Sequence, residues 1–98
     1  MSGQPNIILC TADQLAAYAL GCYGNDIIHT PNIDRLAETG VTFDGCFAQN
    51  GICVPSRSCF LTGRYVHSHK VWANRFALPV HEVNLGKILQ EAGYHTAL

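Results

Sequence analysis

Residues 50–65 read "NGICVPSRSCFLTGRY", and the order of helix breakers in this stretch decides where a helix starts and stops. Pro55 lies two residues after Cys53, Arg57, Phe60 and Leu61 continue at helical spacing, and Gly63 closes the run. The pattern predicts a helix that begins at the cysteine and places Cys53 at its N-terminus. A helix N-terminus offers unpaired N–H groups and the positive end of the helix dipole, so negative charge is favoured there. Arg57, four residues on, projects from the same face and brings a permanent positive charge close. Together they make an anion site, although Cys-x-x-x-Arg alone also fits a buried cysteine beside a surface arginine.

The same logic extends outward. Upstream, "NIILCTA" (residues 6–12) is a short apolar run between Pro5 and Asp13; it predicts a strand buried on both faces, with Asp13 at its C-terminal end. In "HTPNIDRLAETG", Thr30 can cap, Pro31 suits the first helical position, Ile33, Leu36 and Ala37 make an apolar stripe, and Gly40 can terminate. "VTFDGCFAQ" puts Val41, Phe43 and Phe47 on one alternation phase, which suggests a strand interrupted near Gly45.

Downstream, "RYVHSHKVWANRFALPVHEV" has no sustained period and reads as a loop with extended pieces. "VNLGKILQEAG" restores a helical face from Leu85, Ile88, Leu89 and Ala92, stopping at Gly93, and "YHTAL" looks like the start of another buried strand. Alternating strand and helix signals predict an α/β layer structure with a mostly parallel sheet. Such strands need neighbours on both sides, and this chain supplies few.

Composition narrows the function classes. With 98 residues, 48% hydrophobic and 13% charged, the chain is one small domain rather than a disordered segment. A formal net charge of -1 offers no basic face for nucleic acid. "MSGQPNIILCTADQ" has neither a positive n-region nor an apolar run of signal or membrane length, which makes a cytoplasmic location the default expectation. Cys10, Cys22, Cys46, Cys53 and Cys59 are odd in number without metal-type spacing, so most are expected to be reduced and buried.

The string "CVPSRSCFLTGR" resembles the signature of the sulfatase family, Cys-x-Pro-Ser-Arg followed by Leu-Thr-Gly-Arg, with Cys53, Pro55, Ser56, Arg57, Leu61, Thr62, Gly63 and Arg64 filling the fixed positions. "PNIILCTADQ", "TPNIDRLAETGVTFDGCFAQ" and "LGKILQEAGYHTAL" are similar to further segments of the same family. The resemblance implies the N-terminal portion of an alkaline phosphatase-like α/β/α sandwich, with residues 1–98 an incomplete N-terminal segment of the catalytic domain. It further implies that a formylglycine-generating maturation enzyme reads Cys-x-Pro-x-Arg and oxidises Cys53 to 3-oxoalanine (formylglycine). The hydrated aldehyde then attacks a sulfate ester with one hydroxyl, and the second expels the group by carbon–oxygen cleavage.

The resemblance also implies a divalent cation, with calcium the first choice and manganese or magnesium as alternatives. Asp13, Gln14 and the converted Cys53 are its expected ligands, and Arg57 acts beside Cys53 in catalysis. An aspartate at a strand end can equally be a helix cap. Many sulfatases carry two successive aspartates here, whereas this chain has Ala12-Asp13-Gln14. That variant, together with Asn74 in "VWAN", resembles the branch containing phosphonate monoester and phosphodiester hydrolases, in which Asn74 would donate to a substrate oxygen; a turn residue is the alternative for Asn74.

His67 and His69 would share one side of an extended strand, but two ligands are too few for a metal, and they read as surface or loop histidines beside Tyr65. Arg64 is assigned an ion pair near the helix end, and Trp72 a packing anchor. The family's remaining metal ligands and its leaving-group lysine and histidine are expected beyond the end of this chain. The isolated chain is therefore expected to be inactive, and exposed strand edges are expected to favour self-association into a homo-oligomer. A noncatalytic piece that the maturation enzyme can still recognise is the competing class.

Only Cys53 carries a proline and an arginine at offsets of two and four. Coexpression with a maturation enzyme should therefore convert Cys53 and none of the other four cysteines, as read by aldehyde-specific labelling and peptide mass spectrometry. Labelling at Cys59, or an unmodified thiol at Cys53, counts against the signature's role.

Overall fold

In the computed structural model, which describes residues 3–97, the backbone follows the helix breakers closely. Helix α1 spans Pro31–Thr39, with Pro31 at its first position and Gly40 at its C-cap. Helix α2 spans Cys53–Thr62 and ends on Gly63 in the left-handed region, at φ 66°. Helix α3 is the single turn Val66–His69. Helix α4 spans Leu85–Glu91; the Asn84 side chain caps it by accepting from the Lys87 N–H at 3.2 Å, and Gly93 follows at φ 87°.

The chain divides into two compact units, Met1–Asp44 and Gly45–Leu98. In the first, two short 3₁₀ turns, Ala17–Ala19 and Gly21–Tyr23, precede α1. Thr30 does not cap α1 as the sequence suggests. Its hydroxyl instead donates to Asp34 Oδ1 at 3.0 Å and accepts from the Gly21 N–H at 2.9 Å, while the same Asp34 oxygen accepts from the Cys22 N–H at 2.8 Å. One carboxylate in the first turn of α1 thereby holds the second 3₁₀ turn. A Cβ at Gly21 would stand 2.6 Å from Asp34 Oδ2, so a larger residue there would displace the carboxylate that holds this turn. The Tyr23 hydroxyl donates to the Phe43 carbonyl at 2.9 Å, and Asn25 Oδ1 accepts from the N–H groups of Ile27 and Ile28. No described residue of this unit is buried.

The second unit holds all the buried residues among those described: Pro55, Ser58, Cys59, Val66, His69, Val71 and Glu82. They lie along α2, on α3 and on the segment that follows it, and α4 packs against α2 as well. The face of α2 that carries Ser58 and Cys59 is the one α3 covers.

Several expectations are corrected here. The runs at residues 6–12, 41–49 and 94–97 form no strand among the described residues; Leu98, the last residue of the final run, lies outside them. A strand is defined by hydrogen bonds to a neighbour, and these segments have none with which to form a ladder; Ile8 is accordingly 85% exposed. The expected loop after Tyr65 contains α3. All five cysteines are free, yet Cys59 alone is buried, Cys22 being intermediate and Cys10, Cys46 and Cys53 exposed. Trp72 is 55% exposed and anchors nothing, because its neighbour Val71, at 1%, takes the buried slot.

Gly63 has no atom within 4 Å of a would-be Cβ, so any cost of substitution is conformational. Gly63→Ala should destabilise the second unit by about 1–2 kcal/mol, the penalty of a left-handed non-glycine residue, and Gly63→Asn by less. Urea unfolding followed by circular dichroism reads the difference; equal stability for both variants would mean that the α2 terminus does not depend on this conformation.

Candidate active site

Cys53 occupies the first position of α2 and is solvent-exposed. The residues around it explain how that end is shaped. Asn50 Oδ1 accepts from the Ile52 N–H at 2.8 Å, an Asx turn that steers the chain into the helix. The first helical bond runs from the Ser56 N–H to the Ile52 carbonyl at 2.9 Å. Pro55, buried at the third position, has no N–H to leave unsatisfied. Arg57 follows one turn on, half-buried, at the spacing that shares a face with Cys53.

Asn74 arrives at the same end from the segment after α3. Its Oδ1 accepts from the Val54 N–H at 3.0 Å, which brings Asn74 beside Cys53 although twenty-one positions separate them. Cys53, Arg57 and Asn74 thus belong to one unit. Asp13 and Gln14 belong to the other, where they form an exposed turn with Gln14 at φ 55°. That turn offers one carboxylate and one amide carbonyl. These donor types suit a hard cation, but such an ion takes about six oxygens, and among the described residues no three His, Cys, Asp or Glu side chains come together to hold a metal.

Behind the Cys53 turn lies a set of contacts that the sequence did not announce. His69 Nδ1 accepts from the Val71 N–H at 3.1 Å, so the ring proton sits on Nε2, which faces Cys59 Sγ at 3.4 Å. His67 and His69 do not share a side, since the helical turn separates them: His67 is exposed and stacks on Tyr65 with ring centroids 5.8 Å apart, and His69 is buried. Asn50, Cys59, His69, Glu82 and Lys87 were missed as contributors. For Asn50 the Asn-Gly dipeptide was the available signal; for the others no local signal exists.

At the far end of α2, Arg64 Nη1 donates to both oxygens of Glu82, at 2.9 and 2.7 Å, which supplies the ion pair the sequence leads one to expect. The Lys87 ammonium fixes the neighbouring backbone, donating to the Glu82 carbonyl at 2.9 Å and to the Val80 carbonyl at 2.6 Å. A hollow of about 300 Å³ lined by Gln49, Cys59, Phe60, Gly63, Arg64 and Tyr65 also lies at this end, away from Cys53, and is not a place for chemistry at the cysteine. No helix among the described residues is long and apolar enough to cross a membrane.

Comparison with known proteins completes the picture. Residues 5–98 match the family model described as Sulfatase. An N-acetylglucosamine-6-O-sulfatase of Bacteroides thetaiotaomicron is 41% identical over 95 residues, which cover 97% of this chain and 17% of the relative. Human steryl-sulfatase is 44% identical over 108 residues, 99% of this chain and 18% of the relative. An ulvan-active sulfatase of Formosa agariphila is 37% identical over 98 residues, 100% and 20% respectively. The chain thus spans about a fifth of the length of the curated relatives it matches. No solved structure gives a significant match.

Glu82 is 6% exposed and Arg64 50%. Arg64→Ala, which leaves a buried carboxylate without its cation, should therefore cost about 2 kcal/mol, more than Glu82→Gln, which removes the charge and keeps an acceptor. Chemical denaturation of both variants tests this; the reverse order would mean that Glu82 is not held by Arg64.

Proposed function

Because the chain belongs to the sulfatase family, we propose that the protein carrying it hydrolyses sulfate esters at Cys53 after conversion of that residue to formylglycine. Family membership implies an alkaline phosphatase-like fold; the mostly parallel sheet, with residues 6–12 as one of its strands, is part of the proposal. The observation that carries the reading is the exposed position of Cys53 at the head of α2, within the complete Cys-x-Pro-Ser-Arg…Leu-Thr-Gly-Arg signature.

Sulfatases generally use formylglycine together with a divalent metal. Asp13, Gln14 and the converted Cys53 would be this chain's contribution to holding the ion, for which calcium is the first choice; when bound it would supply Lewis-acid polarisation of a substrate oxygen. The helix end and Arg57 favour the anionic ester group beside residue 53, the guanidinium fork suiting the paired oxygens of a sulfate. Asn74, through Nδ2, would donate to a further substrate oxygen. The Asp13-Gln14 pair and Asn74 favour a second reading, hydrolysis of phosphonate monoesters or phosphodiesters with the same residues. Relative rates on sulfate, phosphonate and phosphodiester esters distinguish the two, and no ester hydrolysis above a Cys53→Ala control would overturn both.

In the active polypeptide, Arg57→Lys should lower kcat/KM by the equivalent of about 2–4 kcal/mol although the charge is kept, because the fork geometry is lost. Steady-state kinetics with near wild-type values would reduce Arg57 to a structural residue of α2.

A further inference from the structure

We infer that Asn74 is a remote N-cap of α2, a positioning residue that holds the Cys53 turn through the backbone of Val54. The first turn of an α-helix exposes N–H groups that its own carbonyls cannot reach, and a Ser, Thr, Asp or Asn at the N-cap normally accepts from one of them. The N-cap of α2 is Ile52, whose side chain has no acceptor, and no side-chain cap bond forms there. Pro55 has no N–H, and Ser56 is the first residue bonded within the helix. The orphan donors are therefore the N–H groups of Cys53 and Val54. Asn74 Oδ1, 3.0 Å from the Val54 nitrogen, takes the second.

The consequence for Cys53 is specific. A capping side chain on residue 52 would stand directly beside the cysteine, whereas a cap supplied from residue 74 satisfies the helix end and keeps an isoleucine at that place. Asn74 is exposed, and the segment that presents it is held on either side: His69 and Val71 before it are buried, and the Phe76 N–H closes a turn onto the Ala73 carbonyl at 3.1 Å. Since the amide is planar, engaging Oδ1 also sets the direction of Nδ2. This deepens the donor role proposed above for Asn74 without depending on it: the cap exists whether or not a substrate binds.

Amide hydrogen exchange measured by NMR on the 98-residue chain tests the cap without turnover or cysteine modification, so its failure leaves the sulfate-ester proposal standing, and the failure of that proposal leaves the cap standing. In the native chain Val54 should exchange more slowly than Cys53. Asn74→Ala should accelerate Val54 exchange roughly tenfold, with the Phe60 and Leu61 amides little changed. Asn74→Asp, which keeps the acceptor oxygen, should retain the protection. Unchanged Val54 exchange in Asn74→Ala overturns the inference. So does equal loss of protection in both variants, whether confined to the first turn or spread along α2.

Discussion

The N–H of Val71 donates to Nδ1 of His69, and the rest of the second unit is arranged around that bond. It commits the ring proton to Nε2 and so directs a donor at the Cys59 sulfur, which lies on the inner face of α2. An imidazole that is 1% exposed must have both nitrogens satisfied, since a buried polar atom without a partner costs on the order of 1–3 kcal/mol. With both engaged, α3 is seated on α2 and Val71 follows into the core. From there the chain turns back toward the head of the helix with Asn74 in reach of Val54. A histidine sixteen residues after Cys53 thus helps to set which side chain stands beside the head of α2.

The first unit uses a different material. It has no buried side chain among the described residues, and its order comes from side chains that bond to backbone: Asp34 and Thr30 to the turn at Gly21 and Cys22, Asn25 to Ile27 and Ile28, Tyr23 to Phe43. Bonds of this kind, part-buried at Gly21 and Cys22 and exposed elsewhere, each contribute only modest net stability in water. The apolar runs around Ile8 and Phe43 remain uncovered. Their hydrophobicity without a covering partner is what reads as strand in the sequence.

How far the structure was legible in the sequence follows from the range of the forces involved. Helices α1, α2 and α4 were readable because Pro31, Gly40, Gly63, Asn84 and Gly93 act within a turn of their own positions. The expected strands do not form among the described residues because pairing is a property of two segments, and an apolar run states only a willingness to pair. Val71 and Trp72 show the same limit for burial: both are apolar neighbours, and only the position of His69 decides which one turns inward. Cys53 and Arg57 stand out in the sequence through a local signature, Cys-x-Pro-Ser-Arg, which needs no fold to be seen. The partners of Asn74 and Arg64 do not, because Val54 and Glu82 are reached through folding and not through spacing.

Asn74 and Glu82 grip the two ends of one helix, and eight residue steps separate them along the chain. Helix α2 rises only about 12 Å from Val54 to Thr62, with Arg64 two residues further on, whereas eight steps of extended chain can reach about 26–29 Å. The connecting segment therefore carries slack. Its anchors, and not chain tension, keep the register, so the first part of the segment can change in sequence, or gain a residue, without pulling either clamp from its seat, while the carbonyls of Pro79 and Val80, which accept from the Glu82 N–H and the Lys87 ammonium, belong to the clamp. Next in sequence to Asn74 yet slack, this arc is where a change of length can be absorbed without disturbing the turn that carries Cys53.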